Sequence, residues 1–117
     1  MGDSYAMRVR TNGNIQFFYY TGTVWRGIIT TGVNVRDGVW HHIVGQKSST
    51  ALQIYVDGVS RASTPTTGTI AYTLGTGLSV GRHGNGETIY DFVGAIDDVR
   101  IYNRALSAQE VSNLYTP

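Results

Sequence analysis

Residues 37–58, DGVWHHIVGQKSSTALQIYVDG, contain the pattern that decides the fold. Two apolar and β-branched runs, residues 39–46 and 52–56, are each bounded by an Asp-Gly pair. Asp-Gly is a strong signal for a tight turn between strands, because both residues tolerate left-handed backbone. The stretch therefore predicts a β-hairpin that continues through Asp57-Gly58 into a third strand at residues 59–64.

The strand at residues 39–46 carries apolar side chains on both faces, with Trp40 and Val44 on one and Ile43 on the other. A strand that is apolar on both sides is typical of a central position in a sheet. We therefore expect Trp40 to be a core anchor.

The first 31 residues predict an antiparallel meander. Residues 4–11 and 14–21 alternate in the manner of half-buried strands, and Asn12-Gly13 between them predicts a two-residue type I′ turn. In the second strand Ile15, Phe17 and Tyr19 share one face. A turn at residues 21–23 leads into a third strand at residues 24–31.

The remaining strands are predicted at residues 78–81 and 92–101, after a Thr- and Gly-rich connection at residues 64–77. In the last strand the apolar alternation changes phase, which predicts a bulge or twist near Asp97-Asp98. Ser107-Ala108-Gln109-Glu110 then has the spacing of a capping box, and Leu106 and Val111 are placed as its hydrophobic staple. One short helix over residues 108–115 is expected.

Composition limits the range of functions. The chain has 117 residues, 15 Gly, 8 Tyr, no Cys and a net charge of +1, which fits one domain made of strands and turns. Thiol and iron–sulfur chemistry are excluded. The eight Arg and one Lys are scattered without a basic stripe, so we expect no nucleic-acid partner. No apolar run is long enough to span a bilayer, so no membrane is expected.

Three segments, DGVWHHIV, IYVDG and IDDVRIYNRALS, resemble the C-terminal portion of a laminin-G-like jelly-roll domain of the concanavalin A-like lectin/glucanase superfamily. The resemblance extends from about Tyr5 to Tyr115. It implies one domain over residues 1–117, an all-β antiparallel jelly-roll sandwich with one short C-terminal helix. The Phe-Asp-Gly-like segment and the "ISAWVK"-like strand that begin such domains are missing. We therefore expect an unpaired sheet edge and a homo-oligomer that covers it. The alternative is a reduced sandwich that is self-sufficient without a second copy.

Catalysis is not expected. The superfamily's glucanases carry closely spaced Glu-x-Asp-x-Glu residues, whereas the two Glu here are Glu87, in a loop, and Glu110, in the cap. Glycoside hydrolysis needs two carboxylates that flank the scissile bond. Adjacent His41 and His42 would point to opposite faces of a strand, which argues against a shared metal ion.

The resemblance implies a calcium site at Asp97 and Asp98, because laminin-G-like domains often hold calcium through Asp side chains at a sheet rim. The alternative is that Asp97 accepts backbone N–H bonds and Asp98 pairs with Arg100 or Arg104.

Exposed aromatic side chains stack on the C–H faces of sugars, and Trp25, Tyr20 and Tyr90 are the candidates for ligand binding, although core packing is the alternative for most aromatic residues here. The predicted function is a non-catalytic binding or adhesion module for carbohydrate, with protein as the second ligand class. The alternative is a structural or assembly module of a larger surface protein. In either case we expect the protein outside the cell or on its surface, with the export signal outside this chain.

Overall fold

The computed structural model describes residues 4–72, 77–82, 89 and 91–116. Its regular elements are β1 (Tyr5–Val9), β2 (Ile15–Tyr20), β3 (Trp25–Ile29), β4 (Ile43–Lys47), β5 (Ala51–Val56), β6 (Val59–Pro65) and α1 (Ala108–Tyr115). The strands form two antiparallel three-stranded sheets, sheet A in the order β1-β2-β3 and sheet B in the order β4-β5-β6. The predicted all-β sandwich with one short C-terminal helix is confirmed.

The main core lies between the two sheets and comes from their central strands. β2 contributes Ile15, Phe17 and Tyr19, and β5 contributes Leu52, Ile54 and Val56. Because side chains alternate along a strand, each of these triplets faces inward together. Full burial of such a side chain stabilises the fold by roughly 1.5–3 kcal/mol. The face that the sequence predicts Ile15, Phe17 and Tyr19 to share is therefore the buried face of β2.

A second apolar cluster covers the outer face of sheet B. Tyr55 of β5 packs there with Leu106 and Val111. Ser107 is the N-cap of α1, and its hydroxyl accepts from the Glu110 N–H while the Glu110 carboxylate accepts from the Ser107 N–H. The predicted helix, its capping box and its apolar staple are confirmed, and together they hold the C-terminal arm against the sheet.

Two of the predicted Gly turns, Asp57-Gly58 and Asn12-Gly13, differ in geometry. Asp57 and Gly58 both have positive φ, 52° and 78°, which is the type I′ arrangement that joins β5 directly to β6. At Asn12-Gly13 the type I′ prediction is wrong, because Gly13 has a φ of 85° and Asn12 is not left-handed. Gly13 instead donates its N–H to the Arg10 carbonyl and closes a longer turn. A Cβ at position 13 would meet the Asn34 side chain at 2.1 Å.

The prediction that Trp40 anchors the core is wrong. β4 begins at Ile43, so residues 39–42 form a loop, and 68% of Trp40 is exposed. Backbone pairing ends at His42: its carbonyl accepts from the Asp57 N–H, but its own N–H donates to the Asp57 carboxylate and not to a neighbouring strand.

The strands predicted at residues 78–81 and 92–101 are also absent from the described structure. Phe92 donates its N–H to the Gly81 carbonyl, but Gly94 has a φ of 153° and Asp98 a φ of 52°. Backbone of this kind interrupts a ladder, so the apolar side chains of the segment stay exposed. The irregularity predicted at Asp97-Asp98 is therefore present, within an extended segment rather than a strand.

Candidate functional site

The outer face of sheet A carries a cluster of three aromatic side chains, Phe18, Tyr20 and Trp25, which we call the aromatic face. Tyr20 and Trp25 are cross-strand partners in the β2–β3 ladder, so their side chains lie on the same side of the sheet. Their ring centroids are 5.0 Å apart. Phe18 meets Trp25 edge-to-face at 5.5 Å.

Within the aromatic face the three rings differ in exposure. Phe18 is buried, at 6% exposure, and Tyr20 is half-buried, whereas 40% of Trp25 is exposed. Gly27 is the cross-strand partner of Phe18, and a Cβ there would meet the Phe18 Cβ at 2.9 Å. The absence of a side chain at Gly27 therefore allows Phe18 to lie beneath the indole, which is left open to solvent.

The turn between β2 and β3 fixes the position of Trp25. The Thr21 hydroxyl accepts from the Val24 N–H at 3.1 Å, and Tyr20 Oη donates to the Gly22 carbonyl at 2.9 Å. The Thr21 N–H also donates to the Val24 carbonyl. Because these bonds order both sides of the turn, the indole is presented from a rigid element.

Positive charge accompanies the aromatic face. The guanidinium carbon of Arg8 lies 5.6 Å from the Phe18 ring centroid, and Arg8 Nε donates to Gln16 Oε1 at 2.7 Å. Residues 4–36 contain no Asp or Glu, and they hold four arginines: Arg8, Arg10, Arg26 and Arg36. From the start of β1 to the end of β3, residues 5–29, the charged side chains are those of Arg8, Arg10 and Arg26.

A cluster of polar side chains, separate from the aromatic face, joins the loop before β4 to the β5–β6 turn. His41 Nδ1 lies 2.8 Å from Asp57 Oδ2, and His41 Nε2 lies 2.8 Å from Asp37 Oδ1. The ring of neighbouring His42 instead faces Tyr115 of α1, with centroids 6.2 Å apart. The two histidines therefore diverge, as the sequence predicts.

Comparison with known proteins places this geometry in a family. A laminin-G-type model of the concanavalin A-like lectin/glucanases superfamily matches residues 1–112. The chain belongs to this superfamily.

Two relatives agree with that assignment. The rat (Rattus norvegicus) protein "Sushi, von Willebrand factor type A, EGF and pentraxin domain-containing protein 1" is 30% identical over 134 residues, a match that covers 95% of this chain and 4% of the rat protein. The crystal structure of residues 221–444 of an S-layer domain-containing protein from Clostridium thermocellum ATCC 27405 superposes with a TM-score of 0.58 at 26% identity. That superposition covers 98% of this chain and 58% of the other. The chain thus spans less than two thirds of either relative.

Of the three residues predicted to bind a ligand, the structure brings Trp25 and Tyr20 together, and Tyr90 lies outside the described residues. Phe18 and Arg8 were missed. The alternation of β2 places Phe18 on the same face as Tyr20, so the sequence alone could have identified Phe18. The contact between Arg8 and Phe18 depends on the β1–β2 register, in which Arg8 faces Gln16 and Ala6 faces Phe18.

The predicted calcium residues make protein contacts in the exposed C-terminal segment. Asp97 Oδ1 accepts from the Asp98 N–H at 2.8 Å, and Asp98 pairs with Arg100 at 3.0 Å. No group of three His, Cys, Asp or Glu with metal-binding geometry occurs in the part of the chain that the structure describes. Calcium at Asp97 and Asp98 stays a prediction. No helix in that same part is long and apolar enough to cross a membrane.

Proposed function

We propose that this domain is a non-catalytic binding module that holds a carbohydrate on the aromatic face of sheet A. The observation that carries the proposal is the Trp25 ring, 40% exposed and packed beside Tyr20 on the outer face of sheet A. An apolar ring that is exposed and held in place loses little conformational entropy when a sugar stacks on it. Membership of a superfamily that includes lectins supports the same class of function.

The charge of sheet A favours glycans that carry carboxylate or sulfate groups. Arg8 lies at the Phe18 end of the aromatic face, and the charged residues between positions 5 and 29 are all arginines. A guanidinium recognises planar and tetrahedral anions through paired N–H donors. A sugar that stacks on Trp25 would therefore gain from a negative group directed toward Arg8.

The relatives support a place outside the cell or on its surface, because one is an S-layer domain-containing protein and the other carries sushi, EGF and pentraxin domains. They also keep a second function open, that of a structural or assembly module of a surface protein. The exposed apolar side chains of residues 92–102 favour this second function, since such surface commonly marks a protein contact. Homo-oligomerisation is one form that contact would take.

A glycan array that compares Trp25→Ala with Trp40→Ala tests the carbohydrate proposal. Both indoles are exposed, but only Trp25 belongs to the aromatic face. We expect wild type and Trp40→Ala to bind the same glycans and Trp25→Ala to lose them while keeping its far-UV circular dichroism. No binding by wild type, or unchanged binding by Trp25→Ala, would remove the proposal and favour the assembly module.

A further inference from the structure

The bonds of His41 require a particular protonation state. Both ring nitrogens lie 2.8 Å from carboxylate oxygens, one of Asp57 and one of Asp37. An ionised carboxylate only accepts hydrogen bonds, and a neutral imidazole has one N–H to donate. Both bonds form together only when the imidazole is protonated on both nitrogens. Deprotonation would leave one nitrogen lone pair facing a carboxylate.

The carboxylate of Asp57 is held more firmly than that of Asp37. Asp57 Oδ1 accepts a second bond from the His42 N–H at 2.8 Å, and the Asp57 N–H donates to the His42 carbonyl at 2.8 Å. Asp37 is the more exposed of the two and has a longer second bond, 3.2 Å from the Val39 N–H. When one proton leaves His41, we therefore expect the remaining N–H to stay with Asp57 and Asp37 to lose its hydrogen bond to the ring, keeping only the long bond from the Val39 N–H.

We propose that His41 is a pH-operated latch that closes the loop of residues 37–42 onto the β5–β6 turn when protonated and releases the Asp37 end of the loop when neutral. The loop carries Val39 and Trp40 with 62% and 68% of their surface exposed. The latch thus sets whether these two apolar side chains are held in one position or move with a free loop. This role is independent of the aromatic face.

The charges around His41 set the pH range. The hydrogen bond to Asp57, followed by that to Asp37, raises the pKa of His41 above its ordinary value, although burial opposes the shift. The bond from His41 lowers the pKa of Asp37. For Asp57 burial pushes the pKa upward, but bonds from His41 and the His42 N–H outweigh it, and the charge of His42 also acts to lower it. Among the described residues these are the charged groups that act on His41 or on its two partners.

The sign of the pH dependence follows from these shifts. Because the pKa of His41 is raised in the folded protein, protonated His41 stabilises the closed loop fully below about pH 6.5. This stabilisation is lost as the pH rises through the folded-state pKa of His41. The lowered pKa values of Asp37 and Asp57 mean that it fails in acid only below about pH 4. The loop is therefore closed in mildly acidic solution and open in alkaline solution.

Nuclear magnetic resonance titration of the whole chain tests the latch. We expect the His41 ring to titrate above pH 6.5 and to carry both N–H protons below that point. The backbone order parameters of residues 38–41 should fall across the same titration from about 0.85, the value of rigid backbone, to below about 0.6. Asp37→Asn should lower the pH at which His41 titrates, because Asp57 remains as the one carboxylate beside the ring, and should leave the loop more mobile than in wild type below pH 6.5.

Asp98→Asn is the matched control, since it removes the same charge from a carboxylate that pairs with Arg100 and does not touch His41. It should titrate as wild type does. A His41 titration at or below pH 6.5, or order parameters that stay constant through it, would overturn the latch. If Asp37→Asn proves unstable, His41→Gln replaces it and should abolish the pH step in the order parameters, and a step that persists there would also overturn the latch.

Discussion

The side-chain amide of Gln46 makes two hydrogen bonds with the backbone of Leu106, a residue 60 positions later in the chain. The Leu106 N–H donates to Gln46 Oε1 at 2.9 Å, and Gln46 Nε2 donates to the Leu106 carbonyl at 3.1 Å. The amide thus satisfies both backbone groups of a buried residue, as a neighbouring strand would. It fixes the start of the capped arm against the outer face of sheet B.

Replacing Gln46 by Leu should therefore destabilise the fold. The backbone N–H and C=O of Leu106 would stay buried without partners, and each such group costs about 1–3 kcal/mol. Urea denaturation followed by circular dichroism measures the free energy of unfolding. The matched control is Gln109→Leu on the exposed face of α1, for which we expect a change within about 0.5 kcal/mol. Equal losses for the two variants would contradict the role of Gln46.

Replacing Trp40 by Ala should change the free energy of unfolding by no more than about 0.5 kcal/mol, because the side chain is mostly exposed. A buried Trp would instead cost about 3–5 kcal/mol. Chemical denaturation distinguishes these two values, with the buried Ile54→Ala as a reference for a true core position, expected to lose about 2–5 kcal/mol. A core-like loss at Trp40 would show that the loop of residues 37–42 packs inward in solution.

The capping box of α1 should depend on both of its members. Ser107→Ala removes the acceptor for the Glu110 N–H and should lower stability by about 1 kcal/mol at neutral pH. Hydrogen bonds from Arg104 and from the Ser107 N–H lower the pKa of Glu110 to about 2. The contribution of Glu110 is thus complete above its ordinary value and is lost as the pH falls toward 2.

The Glu110→Gln variant should accordingly show a weaker loss of stability than wild type between pH 5 and pH 2, measured by thermal unfolding at each pH. Gln109→Glu places a carboxylate one position earlier, away from the N3 position of the box, and should not restore the wild-type profile in the Glu110→Gln background. A profile that is unchanged by Glu110→Gln would contradict the pairing with Arg104 and Ser107.

If a charged glycan binds the aromatic face, its affinity should fall with salt, whereas stacking alone should not. Exposed charges are screened over about 8–10 Å at physiological ionic strength. Calorimetric titration of an acidic oligosaccharide and of its neutral reduced form, at low and high sodium chloride, separates the two contributions. Equal affinity for both forms at low salt would remove the preference for acidic glycans but leave carbohydrate binding intact.

The sequence correctly predicted those parts of the fold that are determined by contacts between residues a few positions apart. The alternation of β2, the Asp57-Gly58 turn and the Ser107–Glu110 box each depend on residues within a few positions of one another, and all three are present. The strand prediction failed at Trp40, because the His42 N–H, which a ladder would use, donates to the carboxylate of Asp57, 15 positions later in the chain.

The strand prediction at residues 92–101 is wrong for a different reason. Their apolar alternation indicates which side chains a strand would bury. A strand also needs a neighbour whose backbone N–H and C=O groups are free to pair with it. Left-handed backbone at Asp98 and the φ of 153° at Gly94 are incompatible with a continuous ladder. In the candidate site, Trp25 and Tyr20 followed from composition and spacing, whereas the position of Arg8 over Phe18 needed the register between two strands.

Each sheet is built from strands that are consecutive in the chain, and every paired strand adjoins its nearest neighbour in sequence. Loop closure in such hairpins involves few residues, so the chain entropy lost before the first contacts form is small. Sandwiches with long crossings between sheets fold slowly because distant segments must meet first. We therefore expect the two meanders to form before they dock, so that the hydrogen bond between Tyr19 and Thr66, 47 positions apart, forms late. We therefore expect refolding to be fast for a β-sandwich, with the docking of the two preformed sheets as its slowest step.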